Sequence, residues 1–121
     1  MNILFIAILS ISFSVAAQFS LKAGMSSAGV KAVLAQPFGI QTVLTILFEK
    51  FVFGGFLLYG FGAIIWLAVL SKWDVSKAYP LVGLGFVLTV VVGYLIGEQV
   101  TVSRVAGVVL ICAGLFVMGR N

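Results

Sequence analysis

The chain has no histidine, a single cysteine and only three acidic residues among 121. Each shortage removes a class of function. Without histidine, and with Cys112 alone inside an apolar run, no side chains stand at metal-binding spacing, and a disulfide within one chain is excluded. Glu49, Asp74 and Glu98 form no paired carboxylates. No nucleophile lies beside a base and no glycine-rich loop is built to cradle phosphate, so neither an enzyme site nor a cofactor is expected. Charge is scarce too: 8% of residues are charged, far below what a soluble domain of this length exposes. The net charge of +4 raises the question of nucleic acid. The basic residues instead fall singly in short gaps between apolar runs, with no aromatic interleaving, as membrane anchors do.

What the chain has is hydrophobic sequence, 63% of it. About 20 apolar residues at about 1.5 Å each cross a bilayer core. Four segments qualify, at about 2–21, 51–70, 78–97 and 102–119. Backbone groups in hydrocarbon must be satisfied internally, and no period-2 pattern of a barrel is present, so the spans are read as helices. The expected fold is all-α, a polytopic membrane protein of four transmembrane helices forming one domain. Between the first two spans, the apolar residues Ile40, Val43, Leu44, Ile46, Leu47 and Phe48 suggest an interfacial helix over about 38–48, or an early start of a long, tilted second helix. The small residues around Val15–Gln18 would suit signal cleavage, but the amino end carries no Lys or Arg, so the first span is expected to remain. The basic residues distribute evenly. The amino end, Lys72, Lys77 and Arg120 fall on one side, and Lys22, Lys31, Lys50 and Arg104 on the other. Orientation is therefore weakly specified, which is compatible with dual insertion and an antiparallel dimer.

Polar residues inside the runs are the candidate functional groups. Ser10, Ser14, Gln18 and Lys22 recur every fourth position on the first span and share one stripe. Two readings stand: hydrogen bonds across helices, or the lining of a substrate path. Lys22 is either a snorkelling anchor or a partner for an anionic headgroup. On the third span Gly85, Thr89, Gly93 and Gly97 repeat at the same spacing, which suits close helix approach. Tyr79 and Pro80 open that helix. A proline there is either a tolerated early position or a break near a site. Glu98, at its far end, is an interfacial acid or a group able to pair with Lys22 or Arg104 or to relay a proton. Trp66 and Trp73 fit an aromatic belt.

From Leu57 to Arg120 the chain resembles the second half of an EamA-type module of the drug/metabolite transporter superfamily. The residues that carry the resemblance are Trp66, then "SKAYPL", "GEQVT" and "GVVLICAG". At the amino end, "AAQFSLKAG" is similar to the family's Gln-x-x-x-Lys opening. Four-helix members divide into two groups. The small multidrug resistance type exchanges cations for protons through a glutamate in the first helix, which this chain lacks; Glu98 would have to serve instead. The other group looks closer: small subunits that flip undecaprenyl-phosphate-linked aminoarabinose across the bacterial inner membrane. The resemblance implies a substrate path through Ser10, Ser14, Gln18, Lys22, Trp66, Tyr79, Pro80 and Glu98. It also implies dimer packing through Gly107 and Gly114, and a homodimer or a heterodimer with a related small subunit. Three functions follow as expectations: a flippase for a lipid-linked sugar, a proton-coupled cation exporter, or a non-transporting membrane subunit of a larger complex.

Overall fold

The computed structural model describes residues 2–119, and what it describes is helix joined by short turns. The expected contribution of Arg120 to one membrane face lies outside the described residues. Three helical segments are long and apolar enough to cross a membrane, Ile3–Met25, Lys50–Leu70 and Val75–Leu95, and Val102–Met118 adds a shorter apolar helix. The chain is a multi-pass membrane protein.

Helix α1 (Ile3–Met25) starts where Asn2 Oδ1 accepts the Leu4 amide at 2.9 Å. It runs four residues beyond the expected end at Leu21, because no breaker precedes Ser26 and Ser27, whose amides close the last turn on the Lys22 and Gly24 carbonyls. Two short helices follow. One is α2 (Ala28–Leu34), capped by Ser27, in a region with no expected element. The other is α3 (Ile40–Leu47), which buries Thr42 and leaves Ile40, Leu44 and Leu47 exposed. Helix α4 (Lys50–Leu70) is capped by Glu49, whose Oε2 accepts the Phe51 and Val52 amides at 2.8 and 2.9 Å. A carboxylate at a helix start both satisfies orphan donors and meets the positive end of the helix dipole.

The third span is not the continuous helix expected over 78–97. It consists of α5 (Val75–Ala78), a 3-10 turn (Tyr79–Val82) and α6 (Gly83–Leu95). Pro80 supplies no amide proton and its ring crowds the preceding turn, so the α-helical ladder is interrupted at this point and resumes only after Val82. The far end stops cleanly. Gly97 takes φ +96°, Glu98 N–H bonds to the Gly93 carbonyl at 2.8 Å and Gly97 N–H to Tyr94 at 3.2 Å. That is a Schellman stop, and glycine suits its left-handed residue. Thr101 then accepts the Arg104 amide and opens α7 (Val102–Gly119).

Helix α1 is the organising element. It packs antiparallel along α4 and also meets α6, whereas α7 rests on α6 and the 3-10 turn. The α1–α4 seam is built from small residues seven apart. Ser10, Ala17 and Gly24 are buried on α1, and Gly55 and Gly62 on α4. A seven-residue repeat keeps one stripe facing its partner with a slight left-handed crossing, and small side chains let the backbones close. The approach is tight: a methyl group at Gly62 would stand 3.1 Å from Phe13 Cβ and 3.3 Å from the Ser10 carbonyl oxygen. Ser10 Oγ donates to the Gly62 carbonyl at 2.6 Å across the seam. At the amino end, Ala7, Val69 and Ala78 form a buried cluster covered by Ile3, Ile6, Trp66, Trp73 and Leu81.

The glycine ladder of the third span divides by role. Gly85 is a packing glycine, since a methyl there would lie 3.2 Å from Ile11 Cγ2 and 3.6 Å from Val15 Cγ2 of α1. Gly93 instead makes room for the folded-back Glu98, whose Oε1 would be 2.8 Å from an added methyl, and Gly97 touches nothing within 4 Å and serves the turn. Within the protomer, Gly93 and Gly97 thus have these local surroundings, and neither meets another helix. Gly107 and Gly114 likewise face open space within the protomer.

Candidate functional site

Because α4 and α6 both lean on α1 without closing on each other, a cavity of about 330 Å³ remains between the three helices. Its walls follow helical spacing. Ser10, Ile11, Ser14, Val15 and Gln18 come from α1. Tyr59, Gly62, Ala63 and Trp66 come from α4, at i, i+3, i+4 and i+7. Tyr79 of the 3-10 turn joins Val82, Gly85, Phe86 and Thr89, the last three from α6. Ser10 and Gly62 form its closed floor; Ser10 is 3% exposed and its hydroxyl is fully committed to Gly62. Gln18 donates its side-chain amide N–H to the Tyr59 hydroxyl, tying α1 to α4 beside the cavity. Lower along the same seam, Ser20 Oγ donates to the Phe51 carbonyl at 2.6 Å.

Five of the eight expected path residues, Ser10, Ser14, Gln18, Trp66 and Tyr79, thus line one cavity, and three do not. Lys22 is exposed in the last turn of α1, one turn past Gln18, where a cation complements the helix C-terminus. Pro80 turns to the opposite side of the 3-10 segment, into a second cavity. Glu98 lies beyond α6, folded over Gly93, while Arg104 donates from Nη1 to the Gln99 carbonyl at 2.7 Å. Among the described residues, none that lines the cavity is charged.

Sequence reasoning passed over Tyr59 and the backbone position Gly62, and took Gly85 and Thr89 only as part of a packing ladder. A signal was present: Tyr59, Gly62 and Trp66 share one face of α4, and Val82, Gly85, Phe86 and Thr89 one face of the third span.

The groups can act by hydrogen bonding and stacking. Hydroxyls of Ser14, Tyr59, Tyr79 and Thr89 and the Gln18 amide both donate and accept. Trp66, Tyr59, Tyr79 and Phe86 present rings. Uncharged donors and acceptors beside aromatic faces suit a polyhydroxylated or cationic headgroup better than an anion.

No family model matches the chain, and no solved structure matches it. Among curated proteins the chain is similar to a set of bacterial transport subunits. It is 44% identical over 63 residues to the probable 4-amino-4-deoxy-L-arabinose-phosphoundecaprenol flippase subunit ArnE of Pseudomonas savastanoi pv. phaseolicola, 51% of this chain and 55% of that one. Against the subunit of the same name from Pseudomonas aeruginosa the identity is 38% over 66 residues, 54% of this chain and 57% of the relative. Against that of Erwinia tasmaniensis it is 37% over 67 residues, 54% and 62%. The matched stretch therefore spans somewhat over half the length of these relatives.

Proposed function

We propose that the chain is one subunit of a bacterial inner-membrane transporter that flips a polyprenyl-phosphate-linked sugar. In this reading the sugar passes through the cavity between α1, α4 and α6 while the hydrocarbon tail stays in lipid. The observation that carries the reading is the lining itself: uncharged hydroxyl, amide and aromatic groups held partway along helices that are otherwise apolar. A hydroxyl moved from water to hydrocarbon without a partner costs about 4–8 kcal/mol. A sugar carries several, and Ser14, Gln18, Tyr59, Tyr79 and Thr89 offer replacement partners. The names of the similar proteins, flippase subunits for a lipid-linked aminosugar, support the same class, and an amine on the sugar would meet the ring faces of Trp66 and the two tyrosines.

The reading extends to assembly. Helix α7 serves as the fourth span, as in the EamA-type superfamily. A second subunit, a copy of this chain or a related small one, packs against its Gly107–Gly114 face. Lys22, one turn past Gln18, meets the phosphate where the headgroup leaves the groove. No covalent step is involved.

The test is flipping in proteoliposomes holding the purified chain, alone and with the related subunit, using a fluorescent polyprenyl-phosphate sugar. Gln18→Leu and Thr89→Val are expected to slow flipping with the protein still folded; unchanged rates in both variants would remove the cavity from the path. Uptake of a quaternary ammonium ion driven by a pH gradient, without lipid flipping, would replace the reading with cation export.

A further inference from the structure

The 3-10 turn separates two cavities. Tyr79 faces the one already described, and Pro80 and Leu81 face a second of about 340 Å³ at the amino end of α1. This second cavity is walled by Leu4 of α1 and by Leu115 and Met118 near the end of α7. Its position is set by the helix ends, so it sits at headgroup depth of a membrane-spanning bundle. It differs from the first cavity in its charge. Among the described residues Lys77 is its one charged lining residue, and the Lys77 Nζ stands 4.4 Å from the centroid of the Trp73 ring, which lines the same wall. Asp74, three residues earlier, does not line it.

An ammonium braced on an aromatic face, at the mouth of an otherwise apolar cleft, has a defined complement. Contact with the ring occupies one side of the ammonium and leaves N–H donors for a phosphate oxygen. The leucine and methionine walls give a free inorganic anion nothing, but they cover an acyl chain. We propose that this cleft holds an anionic glycerophospholipid, its phosphate on Lys77 and a chain lying along Leu4, Leu115 and Met118. The lipid would be a resident of the fold, bound outside the transport cavity, and would tie the end of α7 to the start of α1. The site stands whether or not the first cavity transports a sugar.

The experiment uses the full chain in nanodiscs, with Trp66→Phe leaving Trp73 as the only tryptophan. Brominated phosphatidic acid is titrated against brominated phosphatidylcholine and Trp73 quenching is followed. Saturable quenching that prefers phosphatidic acid by about fivefold is expected, the scale of one surface cation acting on an anionic lipid. Lys77→Gln should remove the preference and Lys77→Arg keep it. Lys72→Gln should leave it intact, since Lys72 is at the same end but outside the cleft. Leu115→Trp, read by native mass spectrometry with Trp73 retained, should fill the apolar wall and expel the lipid with the charge unchanged. Equal loss in Lys72→Gln, or a preference that survives Lys77→Gln, would overturn the site. Competition by inorganic phosphate would make it a soluble-anion site. Displacement by polyprenyl phosphate at concentrations where phosphatidic acid has no effect would assign it to the transported substrate. Each of those two results also refutes the proposal.

Discussion

Two glycines on one helix isolate how tightly α1 and α4 pack. Gly60 and Gly62 both lie in the interior of α4, so replacing either with alanine gains the same intrinsic helix propensity, about 1 kcal/mol. Their surroundings differ. A methyl at Gly60 meets nothing within 4 Å, whereas at Gly62 it meets Phe13 Cβ at 3.1 Å and the Ser10 carbonyl oxygen at 3.3 Å. Neither obstacle can rotate away: one is main chain and the other is a single bond from it. Relief requires α1 to move back by a few tenths of an ångström, which stretches the Ser10–Gly62 hydrogen bond and loosens dispersion along the seam. Overpacking of this kind costs about 1–3 kcal/mol. Propensity cancels in the comparison, so Gly62→Ala should be less stable than Gly60→Ala by about 1–3 kcal/mol, with Gly60→Ala equal to or better than the parent. Reversible unfolding in mixed micelles of increasing SDS fraction, followed by far-UV circular dichroism, measures the difference. Equal stabilities within about 0.5 kcal/mol, the usual scatter of surface substitutions, would mean that the small-residue seam is not the α1–α4 contact.

Three further outcomes follow from the same contacts. Gly97→Ala places a side chain at φ +96° and should destabilise by about 1–2 kcal/mol in the same assay, although the position is exposed; a neutral result would place the helix stop elsewhere. Gln18→Leu and Tyr59→Phe should each slow flipping, and the double variant should be slower than either single one but by less than the product of the two effects, because the side chains share one hydrogen bond; strictly multiplicative effects would separate them. Gly114→Leu should leave the thermal stability of the isolated protomer unchanged, since open space surrounds it, while lowering the dimeric fraction measured by size-exclusion chromatography with light scattering; a dimer that survives would move the subunit contact off this face.

Helix periodicity sets how much of the site is legible in the sequence. Ser10, Ser14 and Gln18 recur every fourth residue, and a helix turns that spacing into a face whatever surrounds it, so their convergence on one side of α1 follows from the spacing alone. Lys22 obeys the same spacing yet leaves the cavity, because a shared face is only a direction and the end of the helix carries the residue past the cavity wall. The glycines show the complementary limit. Gly85, Gly93 and Gly97 sit on one every-fourth-residue ladder and have three different neighbours: another helix, a folded-back glutamate and open space at a left-handed turn. Spacing cannot distinguish them, since a glycine's role is set by what approaches it. The interruption at Pro80 is signalled by the residue itself. Its extent, a 3-10 turn through Val82, depends on how the chain must bend to lay α6 against α1. Helix α2 has no signal strong enough, because seven residues do not establish a period.

The separation of charge from polarity constrains any transport cycle this chain takes part in. Among the described residues, the lysines and Arg104 lie at helix ends or in connections, and the cavity walls are neutral throughout. Neutral donors and acceptors can replace the water around sugar hydroxyls, but not the solvation of a phosphate, whose transfer into an apolar interior costs several kcal/mol per charge even after the surroundings relax. In the proposed reading the sugar and the phosphate of one lipid therefore make different demands, and the lining of this protomer suits the first. Widening the cavity with water would serve the phosphate but weaken every hydrogen bond that distinguishes one sugar from another. A cation brought to mid-depth by a second subunit would serve it without that loss. Around Gly107 and Gly114 the face of α7 is open within the protomer, which leaves room for the subunit of the proposed assembly, and a neutral lining is what that subunit's charge would complement.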